Sequence, residues 1–260
     1  MAEEGGDSLA AINDQIRASG KAAEGGAWLP LESNPEVLGA FARRIGLPEA
    51  WTFVDVLGLD SELLGLVQGP VAALILLFPC TERIFAARAA QDAALRAGRG
   101  AATEELFFMR QVPNFGNACG TIACLHALTN SRHILQMAGD APLEAFVRSN
   151  LDAAPEARGQ ALLTAEALKA PSDDAAVDTS AQTPCPHRDG PPLDHHFVAF
   201  VRTPEGRLVE LDGTKRCPVD HGATTAETFL EDAAAAVRAS YVAADPDVHG
   251  FALMALAAAG

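Results

Sequence analysis

The stretch QVPNFGNACGTIACLHAL, residues 111–128, contains the best-placed nucleophile of this chain. Apolar residues three and four apart predict a helix that begins at Cys119, and Asn117 is placed to cap its free amide groups. Unpaired amides and the helix dipole favour an anion at that end, so they lower the pKa of a thiol from about 8.5. Cys119 is therefore a candidate thiolate nucleophile. The alternative is a buried small apolar residue.

A thiolate nucleophile needs a proton carrier, and the seven histidines of the chain are unequal candidates. His126 follows Cys119 by two helical turns, about 10 Å along the axis, which indicates a packing role. His195 and His196 begin a predicted β-strand that a hairpin turn returns toward Asp212. The remaining histidines lie in predicted loops or element ends without a well-spaced carboxylate: His133, His187, His221 and His249.

The hairpin pattern predicts a contact between His196 and Asp212. A three-residue loop over 203–205 would set the two residues opposite each other on neighbouring strands. Directly opposed residues have Cβ atoms about 4.5–5.5 Å apart, which allows a carboxylate–imidazole hydrogen bond. A slip of one residue would pair Asp212 with His195 instead, and a strand-end histidine beside a turn aspartate is the non-catalytic alternative. With Cys119, the pair supplies the nucleophile, base and orienting group of a thiol hydrolase.

Eight sequence blocks occur in order between residues 28 and 222. They are WLPLESNPE (28–36), FVDV (53–56), LILLFP (74–79), FMRQ (108–111), NACGTI (117–122), HF (196–197), ELDG (210–213) and PVDHG (218–222). In this order they resemble the ubiquitin carboxyl-terminal hydrolases of the small single-domain class, cysteine peptidases that cut after the terminal glycine of ubiquitin. The resemblance implies a papain-like fold with a knotted backbone.

The resemblance also implies a role for each matching residue. Cys119 matches the nucleophile, Asp212 the residue that orients the imidazole, and His196, which phenylalanine follows directly, the general base. Gln111 matches the glutamine whose side-chain amide joins the Cys119 backbone N–H in an oxyanion hole. This chain has two residues more than the family's usual spacing between Gln111 and Cys119. Asn117 is a second possible oxyanion donor or helix cap. No cofactor is implied.

The net charge of −15, from 34 acidic and 19 basic residues, disfavours nucleic acid and favours a basic protein surface as partner. Ubiquitin presents Lys and Arg around its C-terminal tail, and a ubiquitin-like modifier is the alternative partner. Five residues match ubiquitin-facing positions of the family: Pro30, Leu31, Glu32, Glu36 and Asp55. If the insertion after Gln111 misaligned the site, the chain would instead be a ubiquitin-binding protein with weak or no turnover.

The composition predicts a single catalytic domain at 27–260 after a flexible Gly/Ala-rich extension at 1–26. Five cysteines without paired spacing argue against a disulfide framework and indicate a reducing compartment. The sequence has neither a basic leader region nor an uninterrupted apolar run of about eighteen residues. We therefore expect a monomer in the cytoplasm, with the nucleus as a second location and no membrane contact.

The pattern of elements predicts an α+β fold, in which helices cover both faces of a mainly antiparallel central sheet of about six strands. The apolar run 71–78 is expected at the sheet centre. Predicted helices cover 35–46, 60–67, 81–98, 119–130, 141–150, 156–169 and 225–243, and predicted strands cover 52–57, 72–78, 106–111, 196–202, 207–212 and 251–257.

Residues 171–194 are rich in Ser, Asp and Pro and lack periodicity, which predicts a long loop. The resemblance implies that 152–194 forms a crossover segment above the cleft that excludes folded leaving groups. The same region contains the alternative of a zinc site, formed by Cys185, His187, His195 and His196. Its Cys-x-His spacing matches no common structural zinc pattern, so no metal is predicted.

Overall fold

The computed structural model describes residues 28–98, 100–102, 106–112, 115–183, 185 and 193–260. The helices within this part of the chain are α1 (Pro35–Ile45), α2 (Ser61–Leu64), α3 (Glu82–Arg96), α4 (Cys119–Asn130), α5 (Arg132–Leu135), α6 (Pro142–Ser149), α7 (Pro155–Leu163), α8 (Glu166–Ala176) and α9 (Phe229–Val237), which continues as a π-helix over Arg238–Val242. The strands are β1 (Trp51–Asp55), β2 (Val71–Pro79), β3 (His195–Arg202), β4 (Arg207–Leu211), β5 (Val219–Ala223) and β6 (Ala252–Ala258).

The six strands form one sheet in the order β1-β6-β2-β3-β4-β5, and every neighbouring pair is antiparallel. Strand β2 lies inside the sheet, as its apolar run predicts. Its side chains alternate between two cores, with Ile75 packed on one face and Leu74 on the other. Helix α4 lies in the first core and α9 in the second. The predicted α+β architecture with helices on both faces is confirmed.

The strand predicted at 106–111 is wrong. Residues 107–109 are consecutively buried, so the segment runs through the protein rather than along a sheet. Its backbone bonds to side chains of α4: Asn130 accepts from the Phe107 amide (2.8 Å), and His126 Nε2 accepts from the Met109 amide (2.9 Å). These bonds satisfy buried donors that a ladder would otherwise satisfy.

Other elements also differ from the predictions. Strand β5 was missed, because VDHGA has neither alternation nor strong β propensity. The helix predicted over 156–169 is two helices, since the chain turns at 164–165. Helix α8 then continues to Ala176 with Pro171 inside it, so the beginning of the predicted loop is helical. The helix predicted over 225–243 starts later, at α9.

The hairpin between β3 and β4 has a different register from the predicted one. Phe200 pairs with Glu210 and Val201 with Val209, a shift of two residues. The cause is the turn, which covers 204–206 rather than 203–205, because Gly206 takes its left-handed φ of +79° as the last loop residue. A shift of two residues preserves the face on which each side chain lies.

Some predictions lie outside what the structure tests. The extension at 1–26 falls outside the described residues, and the knotted backbone stays a prediction. No helix in the described ranges is long and apolar enough to cross a membrane.

Candidate active site

Cys119 is the first residue of α4, as predicted. The predicted cap is wrong: Ala118 rather than Asn117 occupies the capping position, and no side-chain capping bond is formed there. The helix end lies directly against β3, because a Cβ on Gly120 would approach the Phe197 ring to 3.2 Å. This close contact brings Cys119 to the residue that precedes Phe197.

That residue is His196, and its ring also reaches Asp212. His196 Nε2 lies 2.9 Å from Asp212 Oδ1, so the predicted contact is present despite the shifted register. Asp212 lies just beyond the end of β4, diagonal to His196 rather than opposite it. The imidazole side chain is 12% exposed and the carboxylate is fully buried. His196 also forms a hydrogen bond with the Cys119 thiol. The three side chains therefore form one hydrogen-bonded line.

The charges in this line are set by burial and by the partners. Burial lowers the pKa of His196, but the charge and hydrogen bond of Asp212 outweigh it and raise that pKa to about 9. Burial raises the pKa of the Cys119 thiol, but the hydrogen bond and charge of His196 outweigh it, and the Phe197 and Gly120 backbone amides add to the effect. The result is a thiol pKa below its ordinary value. At neutral pH the geometry favours a thiolate–imidazolium pair.

The thiolate state gives a direct prediction for alkylation. An ordinary thiol of pKa about 8.5 alkylates roughly twentyfold faster at pH 8 than at pH 6.5. We expect the rate for Cys119 with iodoacetamide, measured by peptide mass spectrometry, to change less than about threefold over that range. Cys124, fully buried and with a pKa raised by burial, is an internal control that should stay unmodified. In His196→Gln the ordinary steep rise should return; the same steep rise in the wild type would contradict the ion pair.

Asp212 is held by groups that the sequence did not predict. Its Oδ1 accepts from the Thr214 amide (2.9 Å) and hydroxyl (2.7 Å), and its Oδ2 accepts from the guanidinium of Arg88. Burial raises the pKa of Asp212, but the charges of Arg88 and His196 hold it well below the usual range. Thr214 could have been found from the turn after β4. Arg88 lies 124 residues away in the chain and has no local signal.

A second buried charge cluster lies beside this one. Glu210, which lies on β4, accepts hydrogen bonds from Lys215, from His221 Nε2 (2.9 Å) and from the Tyr241 hydroxyl (2.7 Å). Glu210 and Lys215 are essentially unexposed. Burial raises the pKa of Glu210, but the Lys215 charge outweighs it and the net pKa is lowered. Thus His221, predicted as a loop residue, lies on β5 in contact with a buried carboxylate.

The loop before Cys119 is anchored on both sides. The Trp28 amide bonds to the Phe115 carbonyl (3.0 Å) and Trp28 forms a parallel bridge with Gly116. The Gln111 amide bonds to the carbonyl of Gly213 at 2.8 Å, directly after Asp212. The insertion at 113–114 itself lies outside the described residues. The backbone of Gln111 is therefore joined to the turn that carries the carboxylate.

The Gln111 side chain is buried. Its Nε2 donates a long bond of 3.5 Å to the Gly116 carbonyl, and Oε1 has no hydrogen-bond partner among the described residues. An amide held this weakly is free to bond to a developing oxyanion. Asn117, predicted as a second possible donor, lines the cleft at Cys119.

The cleft at Cys119 has a volume of about 220 Å³. Its lining includes Pro30, Leu31 and Glu32 as well as Thr183 and Cys185. An adjacent groove contains the other residues predicted to contact ubiquitin: Glu36 and Asp55, together with Glu32. Each of the five predicted contact residues therefore lines the cleft or the adjacent groove, and Glu32 lines both.

His126 is fully buried, and burial lowers its pKa to about 4, so it is neutral at physiological pH and serves as a structural acceptor. His195 lines the cleft. The zinc alternative finds no support in the described ranges, where no three His, Cys, Asp or Glu residues are grouped around a possible metal. His187 lies outside those ranges.

A thiol, an imidazole and a carboxylate in one hydrogen-bonded line at the mouth of a cleft are the parts of a thiol hydrolase. The family model of ubiquitin carboxyl-terminal hydrolase, family 1, matches residues 28–243. A ubiquitin carboxyl-terminal hydrolase of Drosophila melanogaster is 39% identical over 232 residues, 89% of this chain and 98% of that protein. The human isozyme L1 is 36% identical over 209 residues, 80% of this chain and 89% of that protein. The chain belongs to ubiquitin carboxyl-terminal hydrolase family 1, a family of thiol peptidases.

The solved structures agree at the level of the fold. The catalytic domain of Trichinella spiralis UCH37, bound to ubiquitin vinyl methyl ester, superimposes with a TM-score of 0.68 at 21% identity. The match covers 92% of this chain and 99% of that one. The papain-like α+β fold expected from the sequence is confirmed.

Proposed function

We propose that this chain hydrolyses the bond after the C-terminal glycine of ubiquitin, with Cys119 as nucleophile, His196 as acid and base, and Asp212 as orienting residue. The observation that carries the proposal is the hydrogen-bonded line from Cys119 through His196 to Asp212, at a cleft only about 220 Å³ in volume. A cleft of this size suits an extended glycine tail without side chains.

The proposed chemistry follows from the charges. The Cys119 thiolate attacks the terminal glycine carbonyl, and the carbonyl oxygen becomes an oxyanion that the Cys119 amide and the Gln111 side chain stabilise. Asn117 is the alternative donor. The imidazolium of His196 gives its proton to the leaving amine, which breaks the amide bond and leaves a thioester. His196, now neutral, takes a proton from water, which attacks the thioester and releases the ubiquitin carboxylate and the Cys119 thiolate.

Three arguments support ubiquitin as partner. The similar proteins are ubiquitin carboxyl-terminal hydrolases, and the Trichinella protein is bound to a ubiquitin derivative. The groove beside the cleft contains the carboxylates of Glu32, Glu36 and Asp55. The net charge of −15 would attract the Lys and Arg residues around the ubiquitin tail.

The proposed crossover segment at 152–194 has two unlike parts. The first part, through α8, is docked: Asp173 accepts from the Leu29 amide (3.0 Å), and the Ser172 hydroxyl bonds to Thr121 of α4 (2.7 Å). The second part is tied at 182–183 by one carboxylate. Glu32 accepts from the Gln182 amide (2.8 Å), the Thr183 amide (2.9 Å) and the Thr183 hydroxyl (2.7 Å). Within the described part of the segment, residues 177–183 are therefore proposed to move when a leaving group passes.

Glu32→Gln should loosen this tie. One carboxylate oxygen accepts from Gln182 and the other from Thr183, so a carboxamide must lose one of the two acceptors. We expect the amides of 182–183 to exchange hydrogen about fivefold faster, the effect of losing roughly 1 kcal/mol. The measurement is hydrogen–deuterium exchange of the free protein.

Glu36→Gln is the matched control, because Glu36 is an exposed carboxylate in the same groove. It should leave exchange at 182–183 unchanged. Equal acceleration in both variants would show that the effect is one of surface charge and not of the Glu32 hydrogen bonds.

The function is tested with ubiquitin that carries a C-terminal vinyl methyl ester. We expect one equivalent to form a thioether with Cys119, located by peptide mass spectrometry, and Cys119→Ala to form none. The same ester on ubiquitin-like modifiers, in parallel, decides the preference between modifiers. Adduct formation without turnover of a ubiquitin–fluorophore conjugate would favour the ubiquitin-binding alternative.

We further propose that the enzyme acts as a monomer in the cytoplasm, with the nucleus as a second location. Sedimentation of the purified protein tests the oligomeric state, and fractionation of cells that express a tagged protein tests the location.

A further inference from the structure

Arg88 is an arginine that is buried on the inward face of helix α3. The residues of α3 that face inward are Ile84, Arg88, Asp92 and Leu95, so the inward face carries two charged side chains. Arg88 itself is only 2% exposed. Burying a guanidinium without a specific partner is costly, and an apolar residue would pack the same face more cheaply. The position therefore calls for an explanation beyond packing.

The contacts of Arg88 lead to the proposed catalytic carboxylate. Its Nη2 donates to Asp212 Oδ2 and, at 3.1 Å, to the Thr214 hydroxyl. The Thr214 hydroxyl in turn donates to Asp212 Oδ1 at 2.7 Å. Arg88 Nη1 lies 3.4 Å from the Tyr241 hydroxyl. The Arg88 guanidinium thus bonds to Oδ2 of Asp212 and to the Thr214 hydroxyl, which itself bonds to Oδ1.

The arginine and the histidine also share a support. The Arg88 guanidinium lies over the Phe78 ring, 5.0 Å from its centroid, and the His196 ring packs edge-on against the same phenylalanine, with centroids 5.6 Å apart. Phe78 is the register partner of His196 in the sheet. A displacement of Arg88 would therefore disturb both the carboxylate and the ring that the carboxylate orients.

We propose that Arg88 is a positioning residue of the reaction: it holds Asp212 so that only Oδ1 faces His196, and it shares the negative charge of Asp212. This rests on the proposed function. The two carboxylate oxygens have separate tasks, since Oδ1 meets His196 and Thr214, whereas Oδ2 meets Arg88. Without Arg88, a buried carboxylate oxygen loses its ionic partner, and only the Thr214 bonds to Oδ1 then fix the angle at which the carboxylate meets the imidazole.

Several charged or titratable groups surround Asp212 in the described part of the chain. The cationic or titratable ones are Arg88 on α3, His196 on β3, Lys215 in the turn after β4, His126 on α4 and Tyr241 in the π-helix, and Glu210 lies on β4 itself. His126 is neutral near pH 7 and Lys215 is bonded to Glu210. Arg88 is the cation bonded to the carboxylate oxygen that His196 does not use, so removing it lets His196 feel more of the Asp212 charge. The pKa of His196 then rises.

The test compares Arg88→Met with Arg88→Lys. In Arg88→Met we expect kcat for a ubiquitin–fluorophore conjugate to fall about a hundredfold, as for a small misplacement of a reacting group. KM should stay within about twofold, because the Asp212 pocket does not touch ubiquitin in the proposed complex. The alkaline limb of the kcat profile should move to higher pH. Arg88→Lys keeps the positive charge but not the planar guanidinium with its several fixed donors. It should therefore return the alkaline limb to the wild-type pH and restore only part of kcat.

Arg83→Met is the matched control, since Arg83 lies on the same helix, is 63% exposed and pairs with the buried Asp245 and the exposed Asp247, away from Asp212. It should leave kcat and the pH profile unchanged. The His196 titration, followed by NMR of ¹⁵N-histidine-labelled protein, needs no substrate, so it reports on Arg88 even if the proposed function fails.

A normal kcat and an unshifted His196 titration in folded Arg88→Met would overturn the proposal, because a merely structural arginine would change only thermal stability. If Arg88→Met does not fold, Arg88→Lys decides. A partial loss of kcat with KM unchanged supports the proposal, and a wild-type kcat in that variant contradicts it.

Discussion

Cys119→Ala is expected to abolish ubiquitin hydrolysis. Loss of the nucleophile removes the covalent route altogether, and losses on the order of 10⁶ in kcat are typical when a catalytic nucleophile is removed. Binding of ubiquitin should survive, because the proposed contact surface at Pro30, Leu31, Glu32, Glu36 and Asp55 is unchanged. Release of a fluorophore from the ubiquitin C-terminus measures hydrolysis, and titration calorimetry measures the affinity for ubiquitin.

Cys124→Ala is the control for this change. Cys124 is on the same helix, is fully buried and has a pKa raised by burial, so it makes no thiolate at neutral pH. The substitution removes the same atom and should retain near wild-type turnover. Comparable turnover in Cys119→Ala and the wild type would show that another group supplies the nucleophile.

Asp212→Asn is expected to lower kcat by about 10⁴, the effect of the equivalent change in a serine triad. An asparagine is neutral, so it removes the charge that raises the His196 pKa to about 9. The pKa of His196 then falls toward its ordinary value of about 6.5, and the imidazolium that protonates the leaving amine is lost at lower pH. The alkaline limb of the pH profile of kcat should therefore move to lower pH by the same amount as the His196 pKa falls. In Arg88→Met the alkaline limb is expected to move in the opposite direction.

Asp220→Asn serves as the matched control. Asp220 lies on β5 and pairs with Arg207 in a partly exposed bridge, so the same substitution there should cost little activity. Ubiquitin affinity should be equal in Asp212→Asn, Asp220→Asn and the wild type. A loss of affinity in Asp212→Asn as large as its loss of rate would mark Asp212 as a binding residue rather than an orienting one.

Different structural contacts position each of the three proposed catalytic side chains. Cys119 depends on the contact of a helix end with a strand, where Gly120 permits the approach. His196 depends on sheet pairing with Phe78. Asp212 depends on a tight turn together with a distant arginine. We expect the carboxylate to be the member most sensitive to substitutions outside the site, since part of its support comes from another helix.

Much of the site was predictable because it is local. The bounds of α4 follow from apolar spacing over a dozen residues. The contact between His196 and Asp212 follows from a hairpin, and it tolerated an error of two residues in the register because such a shift keeps both side chains on one face. The sheet centre at β2 follows from a continuous apolar run. Each of these features is determined by neighbours within about one element.

The tertiary structure alone decided the features that join distant parts of the chain. Arg88 meets Asp212 across 124 residues, and Glu32 meets Gln182 across 150. The segment 106–112 has a strand-like composition, but it lies against α4, where Asn130 and His126 accept its backbone donors. Side-chain periodicity reports which face of an element is buried and carries no information about the partner across the fold. The sequence therefore determined the three proposed catalytic groups and the elements that carry them, whereas packing decided which charges surround them.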